Sequence, residues 1–93
     1  MPASSLAAQH ARKHIVKKCD FTSRAAGLTA VTGQTVKGLR KDMSVLVWAP
    51  ALNADLYVLS CKVTAADTVD LVFYNSTGGG IDPGNIDYHF LAL

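Results

Sequence analysis

Histidine and cysteine are the residues of this chain best suited to bind a metal ion, and three of them lie within its first twenty residues as His10, His14 and Cys19. On a helix, two histidines four residues apart share one face and can bind the same ion, with a thiolate as a third ligand. The segment offers no convincing acidic fourth ligand, and solvated histidines in a basic segment account for the same residues. The sequence therefore predicts no metal site.

A run of glycines in the segment 75–85, NSTGGGIDPGN, is the second candidate, for phosphate binding. A phosphate-binding loop needs Gly-Lys-Ser/Thr at the start of a helix, and a dinucleotide site needs a strand, glycines and a helix in that order. Neither order is present, because the glycines are followed by the turn sequence IDPG and then by a strand. The sequence predicts a shaped loop here and no nucleotide cofactor.

Nucleophilic catalysis would need a serine or cysteine beside a base and an orienting acid. The chain has no nucleophile elbow, and Cys61 falls on a predicted core face as a small apolar residue. His89 lies in an apolar strand, where packing or a subunit contact is its expected role. We therefore expect no enzymatic activity, no catalytic residues, no cofactor and no small-molecule substrate.

Short β-strands are the elements that position these residues. From Phe21 onward, apolar and β-branched runs of strand length alternate with Gly, Pro, Asn and Asp. All seven acidic residues are aspartate, which favours turns over helix surfaces. The expected strands are 28–32, 35–39, 44–48, 56–63, 69–75 and 87–93. Their short connections predict a mainly β domain, either a sandwich or a small barrel.

Two of these strands alternate between apolar and mixed residues, and the TAAD connection between them predicts a β-hairpin. Side chains two residues apart on a strand share one face, so each strand should present one apolar face to the core. The residues expected on the core face are Tyr57, Leu59, Cys61 and Val63 in the first strand and Val69, Leu71 and Phe73 in the second.

Two other strands carry apolar residues on both faces. Val47 and Trp48 point in opposite directions in SVLVW, and Phe90 and Leu91 do so in the last strand. In so small a domain, a second apolar face predicts a subunit interface. For any single residue, a place in the domain's own core is an equal alternative. The interface candidates are Val45, Val47, Trp48, Phe90 and Leu91.

Length and composition fit one domain that associates with a partner. A chain of 93 residues has room for a single core. It is 49% hydrophobic and only 17% charged, as an oligomer subunit would be. No apolar run approaches the roughly 20 residues of a membrane helix, so we expect a soluble protein without a membrane partner, made in a cytoplasm.

Positive charge is concentrated in residues 1–20, which we assign as a basic N-terminal arm or short helix ahead of a β domain at 21–93. Up to Asp20 the net charge is +3, and from Phe21 onward it is −1. The cluster could bind nucleic acid weakly and nonspecifically, but it lacks interleaved aromatic residues, so an acidic protein surface is the favoured partner. The basic residues are Arg12, Lys13, Lys17 and Lys18.

The C-terminal segment VTAADTVDLVFYNSTGGGIDPGNIDYHFLAL resembles the closing hairpin of small β-structured virion proteins of tailed bacteriophages. The likeness runs from about Leu56 to Leu93. Upstream, the segment GLTAVTGQTVKGLRKDMSVLVWAPALNADLYVLSC is similar to their pattern of an amphipathic strand, a polar turn, a short apolar strand and a proline-containing loop.

The resemblance implies a jelly-roll-like β-sandwich with a structural role and no catalysis. Related modules occur as head decoration (cement) proteins and as parts of tail or fibre proteins. One module with a basic arm fits a decoration protein on the outer capsid surface, made in the bacterial host cytoplasm. For such a protein we expect a homotrimer that docks on the major capsid protein through its basic segment, which the resemblance does not cover; the docking candidates are Arg12, Lys13, Lys17 and Lys18. The alternatives are a tail or fibre-associated adhesion module and, less favoured, a nucleic-acid-binding protein.

Overall fold

The computed structural model describes residues 13–93, which form six β-strands and no helix. The strands are β1 (Lys13–Asp20), β2 (Gly27–Thr35), β3 (Val45–Trp48), β4 (Leu56–Ala65), β5 (Thr68–Asn75) and β6 (Asn85–Ala92). They belong to one curled sheet in the order β1-β6-β3-β4-β5-β2, and every neighbouring pair is antiparallel. The mainly β prediction is confirmed, whereas a jelly-roll sandwich is not. Within the described range no helix is long and apolar enough to cross a membrane.

The core lies on the inner, concave face of the sheet. The alternating residues predicted for the core in β5, Val69, Leu71 and Phe73, are all completely buried. In β6, Tyr88 and Phe90 lie on the same side of the sheet and are equally buried. Phe21, which follows edge strand β1, packs edge-to-face on Phe73 and Tyr88 with ring centroids 5.6 and 5.1 Å away. This contact closes the curl, because it joins the β1 side of the sheet to β5.

A β-bulge in β4 changes which of its residues face the core. The predicted hairpin of β4 and β5 is confirmed, but its register shifts between Val58 and Ser60. An extra residue in one strand reverses the alternation beyond it. Leu56 is therefore buried together with Val63, while Tyr57 and Leu59 are 48% and 56% exposed. The prediction that Tyr57 and Leu59 line the core is wrong for this reason.

The chain after β2 forms a buried loop where the sequence predicted a separate strand at 35–39. Val36 and Leu39 are almost completely buried. The loop is tied to the turn between β4 and β5, because the Val36 amide donates to the carbonyl of Asp67 at 2.9 Å and the Asp67 amide donates to the carbonyl of Leu39 at 2.9 Å. Asp67 has a positive φ of 59°, which short polar side chains tolerate in tight turns. The two loops therefore close one end of the core together.

Residues 13–20 form a strand, which corrects the expectation of an arm or short helix for this part of the chain. β1 pairs with β6 along its whole length, from Lys13 opposite Ala92 to Asp20 opposite Asn85. Pairing places Cys19 in the core beside Phe21. The rest of the predicted arm, residues 1–12 with Arg12, lies outside the described residues.

Candidate functional site: the outer face of the sheet

The outer face of the sheet is the side opposite the core, and large apolar side chains remain exposed on it. Their exposed fractions range from 39% for Trp48 to 68% for Leu28. Contiguous apolar surface on a soluble domain marks an interaction site more often than chance. The exposed apolar residues of the outer face are Val16, Leu28, Leu46, Trp48, Tyr57, Leu59 and Tyr74.

Three aromatic rings form a cluster on the part of this face made by β1, β6 and β3. Trp48 in β3 lies directly opposite His89 in β6. His14 in β1 lies opposite Leu91, which is the next residue after His89 on the same face of β6. The Trp48 and His89 rings stack at 5.2 Å with 15° between their planes, and the His14 ring stacks 5.6 Å from Trp48. His14 Nε2 and His89 Nδ1 are 3.0 Å apart and share a hydrogen bond. We call these three residues the histidine–tryptophan cluster.

A shallow groove adjoins the cluster on the side of β4. It has a volume of about 350 Å³, and Trp48, Leu52, Tyr57 and Leu59 are among the residues that line it. The Tyr57 and Tyr74 rings face each other across β4 and β5 with centroids 6.3 Å apart. Exposed aromatic surface therefore continues from the cluster to the far half of the sheet.

The predicted interface residues divide between the two faces. Trp48 and Leu91 lie on the outer face, as a subunit contact requires. Val45 and Val47 face inward and pack against the core, and Phe90 is completely buried in it. Strand alternation places these three side chains on the inner face, so of the five predicted interface residues only Trp48 and Leu91 lie on the outer face.

The predicted docking lysines do not form one patch, because alternate residues of a strand point to opposite faces. Lys18 is on the outer face and lies 3.7 Å from the Asp87 carboxylate. Lys17 is opposite the buried Tyr88, on the inner side of β1. Lys13 Nζ donates to the carbonyl of Gly38 at 3.1 Å. The fourth residue, Arg12, is outside the described range.

Neither cysteine has the environment of an activated nucleophile. Burial raises the pKa of the Cys61 thiol to about 11, with a smaller contribution from the Asp70 carboxylate. Burial also raises the pKa of Cys19, against the opposing charge of Lys17. Since the thiolate is the reactive form, both residues are poor nucleophiles at neutral pH.

The glycine-containing loop after β5 is shaped by a buried asparagine. Asn75 is 1% exposed, and its Nδ2 donates to the carbonyls of Arg24 at 3.0 Å and Gly79 at 2.7 Å. Its Oδ1 accepts from the Thr77 amide at 2.9 Å and the Thr77 hydroxyl at 2.7 Å. The Ile81 amide donates to the Arg24 carbonyl at 3.0 Å. These hydrogen bonds are all made within the chain and hold the loop in one shape, which supports the prediction of a shaped loop.

Sequence reasoning missed two features of the outer face. The register of β1 on β6 brings together His14 and His89, which are 75 residues apart in the chain. The bulge in β4 exposes Tyr57 and Leu59. The one available signal was the doubly apolar pattern of β3 and β6, which pointed to Trp48 and Leu91.

The described part of the chain offers no conventional metal centre, since no three His, Cys, Asp or Glu side chains in residues 13–93 are grouped closely enough to hold an ion. Comparison of the whole chain with known protein families, curated proteins and solved structures found no match. The function is therefore inferred from the outer face itself.

Proposed function

We propose that this chain is a structural protein that docks on other protein subunits through its outer face, as a capsid decoration protein of a tailed bacteriophage. The observation that carries the proposal is the row of exposed apolar side chains, including Val16, Leu46 and Trp48, on a sheet whose opposite face already supplies the core. The resemblance of residues 56–93 to phage virion proteins supplies the biological setting.

The physical basis is the hydrophobic effect. Each apolar side chain moved from water into a contact stabilises the complex by about 25 cal/mol per Å² of apolar area. Trp48 and Tyr57 contribute large rigid surfaces with little rotamer entropy to lose, which makes them good anchor residues in an interface. In the isolated chain the apolar side chains of the outer face remain in water, whereas a partner subunit would bury them.

The proposed partners are two further copies of the chain and the major capsid protein, on the outer surface of the virion. A homotrimer would bring three basic segments to the shell at high effective concentration, so each contact could be weak. Lys18 is available for this role on the outer face at the edge of the sheet, because its ion pair with Asp87 is exposed and contributes little to stability.

The decisive experiment combines light scattering with capsid binding. The molar mass of the purified chain is measured first, and the chain is then mixed with undecorated capsids of the phage that encodes it and sedimented. We expect a trimer that co-sediments at saturating, stoichiometric occupancy. Leu46→Arg should abolish co-sedimentation, because it places a charge on the outer face, whereas the exposed loop substitution Lys41→Ala should not. A monomer that stays in the supernatant would refute the proposal.

A second function, that of a tail or fibre-associated adhesion module, is favoured by the aromatic groove. Trp48, Tyr57 and Tyr74 present flat ring faces beside a concave surface. Such surfaces also suit the apolar faces of sugar rings. If capsids are not bound but a host surface glycan is, and Tyr57→Ala removes that binding, this function replaces the first. Nucleic-acid binding gains no support, because the basic residues of β1 are divided between two faces.

A further inference from the structure

The two histidines of the outer face hold ring nitrogens at a separation that suits one metal ion. His14 Nε2 and His89 Nδ1 are 3.0 Å apart. Imidazole nitrogens bind a divalent transition metal at about 2.0–2.1 Å, so nitrogens 3.0 Å apart subtend an angle of about 95° at a shared ion. Neighbouring ligands in square-planar and octahedral complexes are about 90° apart, a geometry typical of Cu²⁺ and Ni²⁺.

The backbone fixes this arrangement. β1 and β6 pair without interruption over eight residues, and β3 pairs with the other side of β6. His89 thus lies on a strand bonded on both sides, and the Trp48 ring stacks near both imidazoles, with centroids 5.2 Å from His89 and 5.6 Å from His14. Little backbone entropy remains to be lost when an ion binds, which favours binding by a preorganised pair.

Only small side-chain changes are required. The two facing nitrogens now share one proton in a hydrogen bond, and both must be free of it to bind an ion. Each neutral ring then carries its own single N–H on its far nitrogen, Nδ1 of His14 and Nε2 of His89, so only the ring that now donates the hydrogen bond must change tautomer. The χ2 torsion of histidine is soft, so the rings can turn their lone pairs toward a common point beside the present hydrogen bond.

The charges around the pair do not oppose a cation. The nearest lysine on the same face, Lys18, lies in the next cross-strand row and is paired with the Asp87 carboxylate at 3.7 Å. Lys13 is engaged with the carbonyl of Gly38. The apolar neighbours Val16 and Leu91 add no competing donor.

We propose that His14 and His89 together bind one divalent transition-metal ion of the Cu²⁺ or Ni²⁺ class, with water in the remaining coordination positions. This site differs from the one considered in the sequence, which joined His14 to His10 and Cys19 on a helix. Cys19 in β1 faces the core, and His89 belongs to β6 near the other end of the sequence. The proposal does not depend on a role in a virion.

Metal binding can be measured through the fluorescence of Trp48. It is the one tryptophan in the sequence and stacks on both imidazoles, so a paramagnetic ion bound between them should quench its fluorescence. The full-length chain is titrated with Ni²⁺ in a non-coordinating buffer at neutral pH. Ni²⁺ is chosen because it does not oxidise the thiols of Cys19 and Cys61 as Cu²⁺ can. We expect saturable quenching at one ion per chain.

Variants that keep an aromatic ring test whether the ion binds to His14 and His89 or elsewhere in the chain. His14→Phe and His89→Phe keep an aromatic ring against Trp48 but remove a ligand, and each should weaken Ni²⁺ binding by about tenfold or more because the chelate is lost. His10→Phe should leave the affinity within about twofold of the original, since His10 has no part in the pair. Far-UV circular dichroism confirms that each variant is folded.

Three results would overturn the proposal. Quenching that rises linearly without saturation would indicate adventitious ion binding only. An unchanged affinity in His89→Phe would show that the pair is not the site. A loss in His10→Phe as large as that in His14→Phe would assign the ion to the N-terminal segment. A folded variant gives one of these answers or the expected one.

Discussion

The inner and outer faces of the sheet are made by alternate residues of the same strands, yet they differ in almost every physical respect. In β6, Tyr88 and Phe90 point inward and are completely buried, while His89 and Leu91 between them point outward. The inner residues contact Phe21, Phe73 and the buried loops. The outer residues contact their neighbours on the same face, as His89 does with His14 and Trp48.

The inner face accounts for folding, whereas the apolar side chains of the outer face need another explanation. An isolated domain needs one apolar face on a half-buried antiparallel sheet and usually has polar residues on the other. Here the second face keeps Leu46, Trp48 and Tyr57 in water. Folding does not account for them, which is why we propose that they bind a partner.

The largest expected effect is on the inner face. Phe73→Ala should lower the free energy of unfolding by about 3–5 kcal/mol, because it removes a fully buried ring and its edge-to-face contacts with Phe21 and Tyr88. Urea denaturation measures the change, with the exposed outer-face substitution Tyr74→Ala as the matched control. A similar loss in both variants would contradict the division into a folding face and a binding face.

The next effect comes from the polar exception within the core. Asn75→Ala should cost about 2–4 kcal/mol, since it removes the side-chain donor to the Arg24 and Gly79 carbonyls and leaves the Thr77 amide without its acceptor. The control is Asn85→Ala, an exposed asparagine at the start of β6. Hydrogen exchange should show the 76–84 loop opening more readily in the first variant. Unchanged stability would mean that the glycine run keeps its shape without Asn75.

The sequence predicted the inner face well wherever alternation is uninterrupted. Val69, Leu71 and Phe73 follow a strict two-residue period, and their burial and hairpin pairing agree with the prediction. The same period failed in β4, because the bulge at Leu59 leaves no trace in a stretch of four consecutive apolar residues. Local pattern fixes a face only when the register has no insertion.

Long-range pairing explains what was missed at the site. Ile15 and Cys19 are four residues apart, which fits one face of a helix and equally one face of a strand. The segment forms a strand because it pairs with β6, about 70 residues further along the chain, and local propensity does not predict that pairing. The pairing of His14 with His89 follows from that strand pairing and was hidden for the same reason. Trp48 was identified because its own strand is apolar on both faces.

A smaller effect, of opposite sign, is expected at Tyr88. Its hydroxyl is buried and finds no hydrogen-bond partner among residues 13–93. Tyr88→Phe removes this polar group while keeping the ring packed on Phe21, so it should raise the free energy of unfolding by about 1 kcal/mol. Urea denaturation at neutral pH measures it. A clear loss of stability would indicate that the hydroxyl has a partner in the folded protein.

The same residue predicts a pH dependence. Burial raises the pKa of Tyr88 from 10.0 to about 12, with a smaller contribution from Cys19. The folded state therefore holds this proton more tightly than the unfolded state. Ionisation of Tyr88 therefore does not affect the free energy of unfolding well below pH 10. As the pH rises toward 12, that free energy falls by at most about 1.4 kcal/mol per pH unit. Tyr88→Phe should lose less stability than the original chain between pH 9.5 and 11, and equal losses would contradict the raised pKa.

The smallest effect on stability is expected where the effect on binding should be large. Leu46→Ala removes a side chain that is 56% exposed, and it should change the free energy of unfolding by no more than about 0.5 kcal/mol. The same substitution at the fully buried Leu71 should cost about 2–5 kcal/mol. Light scattering of Leu46→Ala should nevertheless show weaker self-association, because leucine at this position lies beside Leu91 on the proposed contact surface. If Leu46→Ala proves as costly to folding as Leu71→Ala, the outer face is covered within the chain itself; if it alters neither stability nor association, the contact surface lies elsewhere.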